Sequence, residues 1–452
     1  MKNLFTLILL TATLSSYAQN DSIFIRKIYD EALVNGKSHE NLRSLCKDIG
    51  ARITGSAEAE MAIQWGKKLL NSYGFDKVYL QEITVPHWER GTKEAAWIVN
   101  EKGATIKLDI LALGGSVGTN GLIEGEVIQV EDLDALKKLS KEQVAGKIVF
   151  LTKAFDQRLI MTGKAYGACF PIRGKGATEA AKLGANAVVI RSLSSTTDHF
   201  PHTGTLRYGE ETKKIPAAAM STENADLLTN WLKNGKVTLK IEMDCRKFPD
   251  VTSYNTIAEM TGKDQKIITW GGHLDSWDVG EGAHDDGAGV LHSIEALRIL
   301  KTLNYKPNHT LRCVLFMNEE NGNMGGKSYA KLAKEKGEEH ICAIESDRGG
   351  FLPIGFDIDG SIEQVKMINE FKNLLSNFEL YRFNKGFGGV DIRPLKEFYP
   401  DMIQLGLNPN PQVYFNYHHT NNDVFENVNK RELELGAAAM ATMVYLMDKN
   451  LK

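Results

Sequence analysis

Ile267-Ile268-Thr269-Trp270-Gly271-Gly272-His273-Leu274-Asp275 is the stretch from which the fold can be read. Its apolar and β-branched opening predicts a buried strand over 267–270, ended by a glycine pair. Outward from it the pattern alternates: Gly289 to Leu300 predicts a helix, Leu311 to Met317 a strand, Gly326 to Glu335 a helix and Ile341 to Ile344 a strand. Such alternation calls for right-handed crossovers and a mostly parallel sheet sandwiched by helices, an α/β class.

Ligands of open α/β sheets lie outside the carboxyl ends of the strands, and metal-binding residue types stand there in this chain. His273 and Asp275 follow the first strand, Glu319 and Glu320 the second, and Asp347 the third. Val413-Tyr414-Phe415 reads as a further strand before His418-His419, and Asp285-Asp286 lies in the glycine-rich loop opening the Gly289 helix. Taken singly, Asp278, Glu281, His284 or Asp286 suits a loop or a helix cap. Together, imidazole and carboxylate at four strand ends are a zinc donor set. A two-metal centre, with ions about 3.5–4 Å apart, needs one bridging carboxylate and two terminal ligands per ion. A further, unligated carboxylate then serves as general base. Asp275, on the side of His273, is placed to orient its ring.

The rest of the chain frames this half. Ser22 to Asn35 and His39 to Ile49 predict amphipathic helices, and Ser56 caps a third whose apolar face is Met61, Trp65, Leu69 and Leu70, ended by Gly74. Lys77 to Val85 and Ala95 to Ile110 predict strands. Near Gly114-Gly115-Ser116 the pattern changes, and 115–246 reads as an inserted module. Its short strands are Gly125 to Val130, Lys147 to Leu151 and Gly184 to Ile190, with a helix over Ala177 to Leu183. His199 and His202, its histidines, fall in a loop with Pro201 that suits solvent. The module is expected to lie beside the site without touching the chemistry, either limiting access or supporting dimer contacts.

Lys2, the apolar run Leu4 to Leu14 and Ser16-Tyr17-Ala18 predict a secretory signal peptide over 1–18, cut after Ala18. The run is shorter than the roughly 20 residues of a spanning helix, so a secreted or periplasmic protein without a membrane anchor is expected. Cys46, Cys169, Cys245, Cys313 and Cys342 are scattered and form no metal framework, with Cys313 and Cys342 suited to buried thiols. With 57 acidic against 54 basic residues, no surface for nucleic acid is indicated.

Gly271-Gly272-His273-Leu274-Asp275-Ser276-Trp277-Asp278, Gly282-Ala283-His284-Asp285-Asp286-Gly287, Asn318-Glu319-Glu320, Glu345-Ser346-Asp347 and His418-His419-Thr420 resemble, in that order, the zinc exopeptidase family of carboxypeptidase Q. Arg52-Ile53-Thr54-Gly55-Ser56 and Trp88-Glu89-Arg90-Gly91 extend the similarity. The resemblance implies two zinc ions per chain bridged by Asp285, one completed by His273 and Asp347, the other by Glu320 and His419. Glu319 is then the general base. His419 is preferred to His418 only through the match to His-Thr, and Glu345 is an alternative to Asp347. The resemblance also implies that 19–114 and 247–452 form the peptidase domain and that 115–246 is a mainly-β protease-associated domain. A homodimer and small peptide or dipeptide substrates are implied as well, with amino- or carboxyl-terminal preference open. Two rivals share the fold: a single-zinc glutaminyl cyclase and a metal-free binding module. The intact set, with Glu319, argues against both.

Overall fold

The computed structural model describes residues 20–210 and 212–451; the expected signal peptide and its cleavage after Ala18 lie outside the described residues. Two eight-stranded sheets organise the chain. The first runs in the order Lys77–Glu89, Arg246–Met260, Thr310–Phe316, Ile267–His273, His340–Glu345, Ile403–Pro409, Pro353–Asp359, Arg382–Lys385. Its four central strands are parallel, as the alternation requires. The chain leaves Ile267–His273 for the Thr310 strand on one side and then crosses to the His340 strand on the other. This makes a topological switch point where ligand crevices form. Helices Ala288–Thr302 and Lys430–Asn450 pack together, and Trp270, fully buried, donates its indole N–H to the Ser293 carbonyl at 3.0 Å.

The second sheet begins earlier than the expected boundary at 115. Glu94–Asn100 pairs with Val237–Met243, and Ile110–Ala112 with Ala217–Met220. These partners are more than 100 residues apart, a distance that local periodicity does not report. The expected Ala95–Ile110 strand is broken into Glu94–Asn100, Thr105–Leu108 and Ile110–Ala112, with Gly103 at φ 81° in the first turn. Ile123–Val130, Ile148–Leu151, Ala187–Arg191 and Ala217–Met220 are mutually parallel. This unit carries more helix than its strand-rich reading suggested. Thr162–Lys182 is one helix of 21 residues, starting 15 residues before the expected Ala177. Pro171 and glycines at 163, 167, 174 and 176 masked its period.

Other expectations hold with adjustments. Ser56 caps Ala57–Ser72 by accepting the Ala59 N–H, but Met61 is 49% exposed and the buried face runs through Ala59, Ala62, Ile63, Gly66 and Leu70. Val413–Phe415 is not a strand: Tyr414–Tyr417 is a single helical turn after the Ile403–Pro409 strand. All five cysteines are free and buried, and no helix among the described residues is long and apolar enough to cross a membrane.

Helix Lys430–Asn450 buries Glu434 against Glu295 of Ala288–Thr302. Glu434 accepts the His39 amide at 3.2 Å, while Glu295 accepts Arg298 at 2.8 and 2.7 Å. Burial first, and then the Glu295 charge, push the Glu434 carboxyl up to about 7. A carboxyl raised on folding costs stability above its unfolded pKa, so the cost grows from about pH 4.5 to about 7 and persists above. Glu434→Gln is therefore expected to raise Tm by a few degrees at pH 8 and to change it little at pH 4, read by calorimetry. An equal shift at both pH values would refute the assignment.

Candidate metal centre

The Ile267–His273 strand is buried throughout and delivers His273 as its last residue. Glycine at 272 is required by close approach: a Cβ there would lie 2.3 Å from the Asp286 carboxylate and 2.9 Å from the Gly289 backbone. Asp286 uses that approach to accept the His273 amide and the Gly289 amide, each at 3.0 Å. It therefore serves as a cap between strand and helix, and both oxygens are engaged.

His273 Nδ1 faces the backbone carbonyl of Asp275 at 3.0 Å, which places the proton there and the lone pair on Nε2. Nε2 lies 3.2 Å from Asp285 Oδ1 and 3.5 Å from Asp347 Oδ1. Asp275 thus orients the ring through its carbonyl rather than its side chain. Its carboxylate accepts the amides of Asn318 at 2.7 Å, Glu319 at 3.2 Å and Glu320 at 3.3 Å, and the Thr54 hydroxyl at 3.1 Å. One side chain therefore presents both glutamates.

Asp285 stands between two half-sites. Its Oδ2 is 3.2 Å from His419 Nε2, which is itself 3.1 Å from Glu320 Oε2. The peptide between Asp285 and Asp286 is cis. Asp423 accepts the amides of His284 and Asp285 at 2.7 and 3.0 Å. Arg52, fully buried, donates to the carbonyls of Leu274, Glu281 and Gly282 at 2.6, 2.7 and 3.0 Å. Sequence reasoning passed over Asp423, whose partners lie 138 and 139 residues away and leave no local signal.

His418 stacks on His419 with ring centroids 3.5 Å apart, boxed by Tyr166, Tyr414 and Phe415, and its Nε2 is 3.6 Å from Asp285. It does not reach Glu320 as His419 does. Glu345 accepts the amides of Val390 and Ile392 at 2.7 and 2.9 Å, so both its oxygens hold a loop. Asp278 pairs with Arg90, Glu281 with Lys47, and the His284 ring stacks on Phe351 and on Tyr417. His202, expected in solvent, is buried, and its Nδ1 is 2.8 Å from the His418 carbonyl. The inserted unit therefore touches the site after all.

The centre's charges are strongly coupled. Burial opposes an imidazolium at His419, yet Glu320 and Asp285 outweigh it and push the ring up to about 9. Burial likewise opposes charge on Asp285, but the His273 and His419 imidazoles hold its carboxyl well below the usual range. Burial and then Asp285 raise Glu320 to about 7. Glu319 is pushed well up by burial, with Asp347, Glu320 and Asp391 adding to it. The donors fit a metal: His273 Nε2, Asp285 Oδ2 and Glu320 Oε1 are buried without a hydrogen-bond partner, and Asp285 groups with His273 and Asp347 on one side and with His418 and His419 on the other. Beside Asp347 opens a small cleft lined by Arg348, Phe387, Gly388, Val390 and Leu407.

Comparison with known proteins agrees with this geometry. Residues 255–444, which hold every candidate ligand, match the model of peptidase family M28. Carboxypeptidase Q of Mus musculus is 35% identical over 420 residues, covering 91% of this chain and 85% of that protein. Carboxypeptidase Q of Homo sapiens is 34% identical, covering 93% and 86%. The crystal structure of a peptidase M28 precursor from Shewanella amazonensis SB2B superposes with a TM-score of 0.90 at 32% identity, over 95% of this chain and 97% of that one. A zinc aminopeptidase from Bacillus subtilis, at 20% identity, shares the fold with a TM-score of 0.65, over 92% and 96%. Two sheets joined at a histidine–carboxylate centre, and relatives matched along nearly their whole length, lead to one conclusion: the chain belongs to peptidase family M28, together with the carboxypeptidase Q proteins.

Proposed function

We propose that this peptidase is an exported two-zinc exopeptidase acting on small peptides or dipeptides. The observation that carries the reading is Asp285, whose two oxygens face His273 and His419 at 3.2 Å each. On this reading His273 and Asp347 complete one zinc position, and Glu320 and His419 the other. Bound zinc supplies a water of lowered pKa and polarises the scissile carbonyl. Glu319, whose backbone amide the Asp275 carboxylate holds, would accept a proton from the attacking water and return it to the leaving amine. The cleft beside Asp347 would position the residue flanking the scissile bond. Export is supported by the basic and apolar start of the sequence, and dipeptides offered free, amino-blocked or carboxyl-blocked would assign the recognised terminus.

Glu319→Gln is expected to retain two zinc ions, counted by mass spectrometry, while kcat falls by a factor of about 10²–10⁴. Near-normal turnover with full metal would remove Glu319 from the mechanism.

Asp285→Ala is expected to lose both ions, whereas Asp347→Ala or Glu320→Ala weakens one. Retention of two zinc ions in Asp285→Ala would show that the bridge lies elsewhere. Asp286 is then a poor substitute, since both its oxygens hold backbone amides.

A further inference from the structure

His419 has φ 65°, a left-handed conformation that a non-glycine residue keeps when its surroundings hold it there. Those surroundings come from the second sheet. His202 Nδ1 donates to the His418 carbonyl at 2.8 Å, and the Thr203 amide donates to the His419 carbonyl at 3.0 Å. In return the Thr203 carbonyl faces His419 Nδ1 at 3.3 Å. Arg173 Nη1 also lies 3.4 Å from that nitrogen and can only donate, but its closer acceptor is the Thr203 carbonyl, and a carbonyl can only accept. The shorter contact favours the proton on Nδ1 and the lone pair on the Nε2 that faces Asp285 and Glu320.

The loop making these contacts is itself fixed. Ser192 Oγ accepts the His202 amide at 2.8 Å, and Thr203 Oγ1 donates to the Ala112 carbonyl at 2.7 Å. Arg173 Nη1 donates to the Thr203 carbonyl at 3.3 Å, sharing that acceptor with His419. Gly204, at φ 128°, leaves no room for a side chain: a Cβ would lie 2.3 Å from Arg173 Nη1 and 2.6 Å from His419 Nδ1. Just upstream, Ser194 Oγ donates to the Phe415 carbonyl at 3.0 Å and Ser195 Oγ to Asn416 Oδ1 at 2.7 Å.

We propose that the loop His202–Gly204 of the inserted unit is the outer shell of the metal ligand His419, so that loading of one zinc position depends on the docked second sheet. His202 and Thr203 are positioning residues that act through His419. The proposal rests on the two-zinc reading for which position it affects, and its test separates the two.

Zinc affinity is measured by competition with a chromophoric chelator for the wild type, His202→Ala, His202→Asn and Gly204→Ala, with Tm and circular dichroism of each zinc-free protein recorded alongside. His202→Ala and Gly204→Ala are expected to hold one zinc equivalent about 10–100-fold more weakly, the usual effect of losing an outer-shell partner. The other equivalent, on His273 and Asp347, stays within about twofold. His202→Asn keeps an N–H donor for the His418 carbonyl and is expected to recover most of the loss. A purely structural role would lower Tm and leave both affinities alone. Wild-type affinity for every bound equivalent in the folded variants overturns the proposal. A wild type that takes a single zinc sinks the two-zinc reading instead. The clamp then stands if that single affinity weakens in the variants and falls if it does not.

Discussion

A carboxylate that serves two half-sites must be aimed by its backbone, and the aim of Asp285 depends on Asp423. By accepting two successive amides, Asp423 fixes the turn from which Asp285 projects, while Arg52 ties down the preceding carbonyls. The same device recurs around the centre. Asp286 joins the His273 strand to the next helix, Asp275 presents Glu319 and Glu320, and Glu345 holds the 390–392 loop. Each is a buried carboxyl group whose oxygens are taken up by backbone N–H groups, which lowers the cost of keeping it out of water. The acids that surround the site thus divide into those saturated by amides, which build it, and those left with free oxygens, which face its interior. Asp285 Oδ2 and Glu320 Oε1 belong to the second kind.

The division explains why acidic residues tolerate such density here. Burying an ion without a partner costs several kcal/mol, and removing amide donors from any builder would expose that cost. Asp285, Glu320 and Asp347 meet the imidazoles of His273, His419 and, at 3.6 Å, His418, and among the described residues they form no salt bridge with Lys or Arg. A divalent cation held by these oxygens and by the Nε2 atoms of His273 and His419 would complete the compensation. Geometry and electrostatics therefore lead to the same small set of atoms from independent directions.

Much of this was legible in the sequence because strand ends are local features. An apolar run followed by glycines and a histidine announces both a buried strand and what emerges from it, and His273, Glu319, Glu320 and Asp347 all stand at the expected ends. The His418-His419 segment was harder. Tyr414 and Phe415 are as suited to a strand as to one turn of helix, and the true strand, Ile403–Pro409, lies ten residues earlier. His202 misled for a different reason: a histidine beside proline reads as loop, and loops read as solvent, unless another chain segment covers them. That segment is His418-His419 itself, more than 200 residues away. The boundary of the second sheet failed likewise, since Glu94–Asn100 declares its sheet only through pairing with Val237–Met243.

Every candidate ligand lies between 273 and 419, and the family match covers much the same span, yet that span does not complete the site. Lys77–Glu89 and Arg246–Met260 form a long antiparallel pair, so the two ends of the insertion leave the first sheet side by side. Arg90, just beyond this ladder, contacts Asp278 of the metal loop, Glu94 and the Ala112 carbonyl of the second sheet, and Thr203. Trp277 extends from the metal loop into the core of the second sheet, edge-on to Trp88, and its ring also meets that of His419 with centroids 5.6 Å apart. These contacts leave the second sheet little freedom to move as a separate body. Its His202–Gly204 loop is held against His419 by the same residues that join the sheets, and docking and ligand geometry become one packing problem. An insertion that looked catalytically empty, because it carries no ligand, thereby acquires a reason to be shaped as it is.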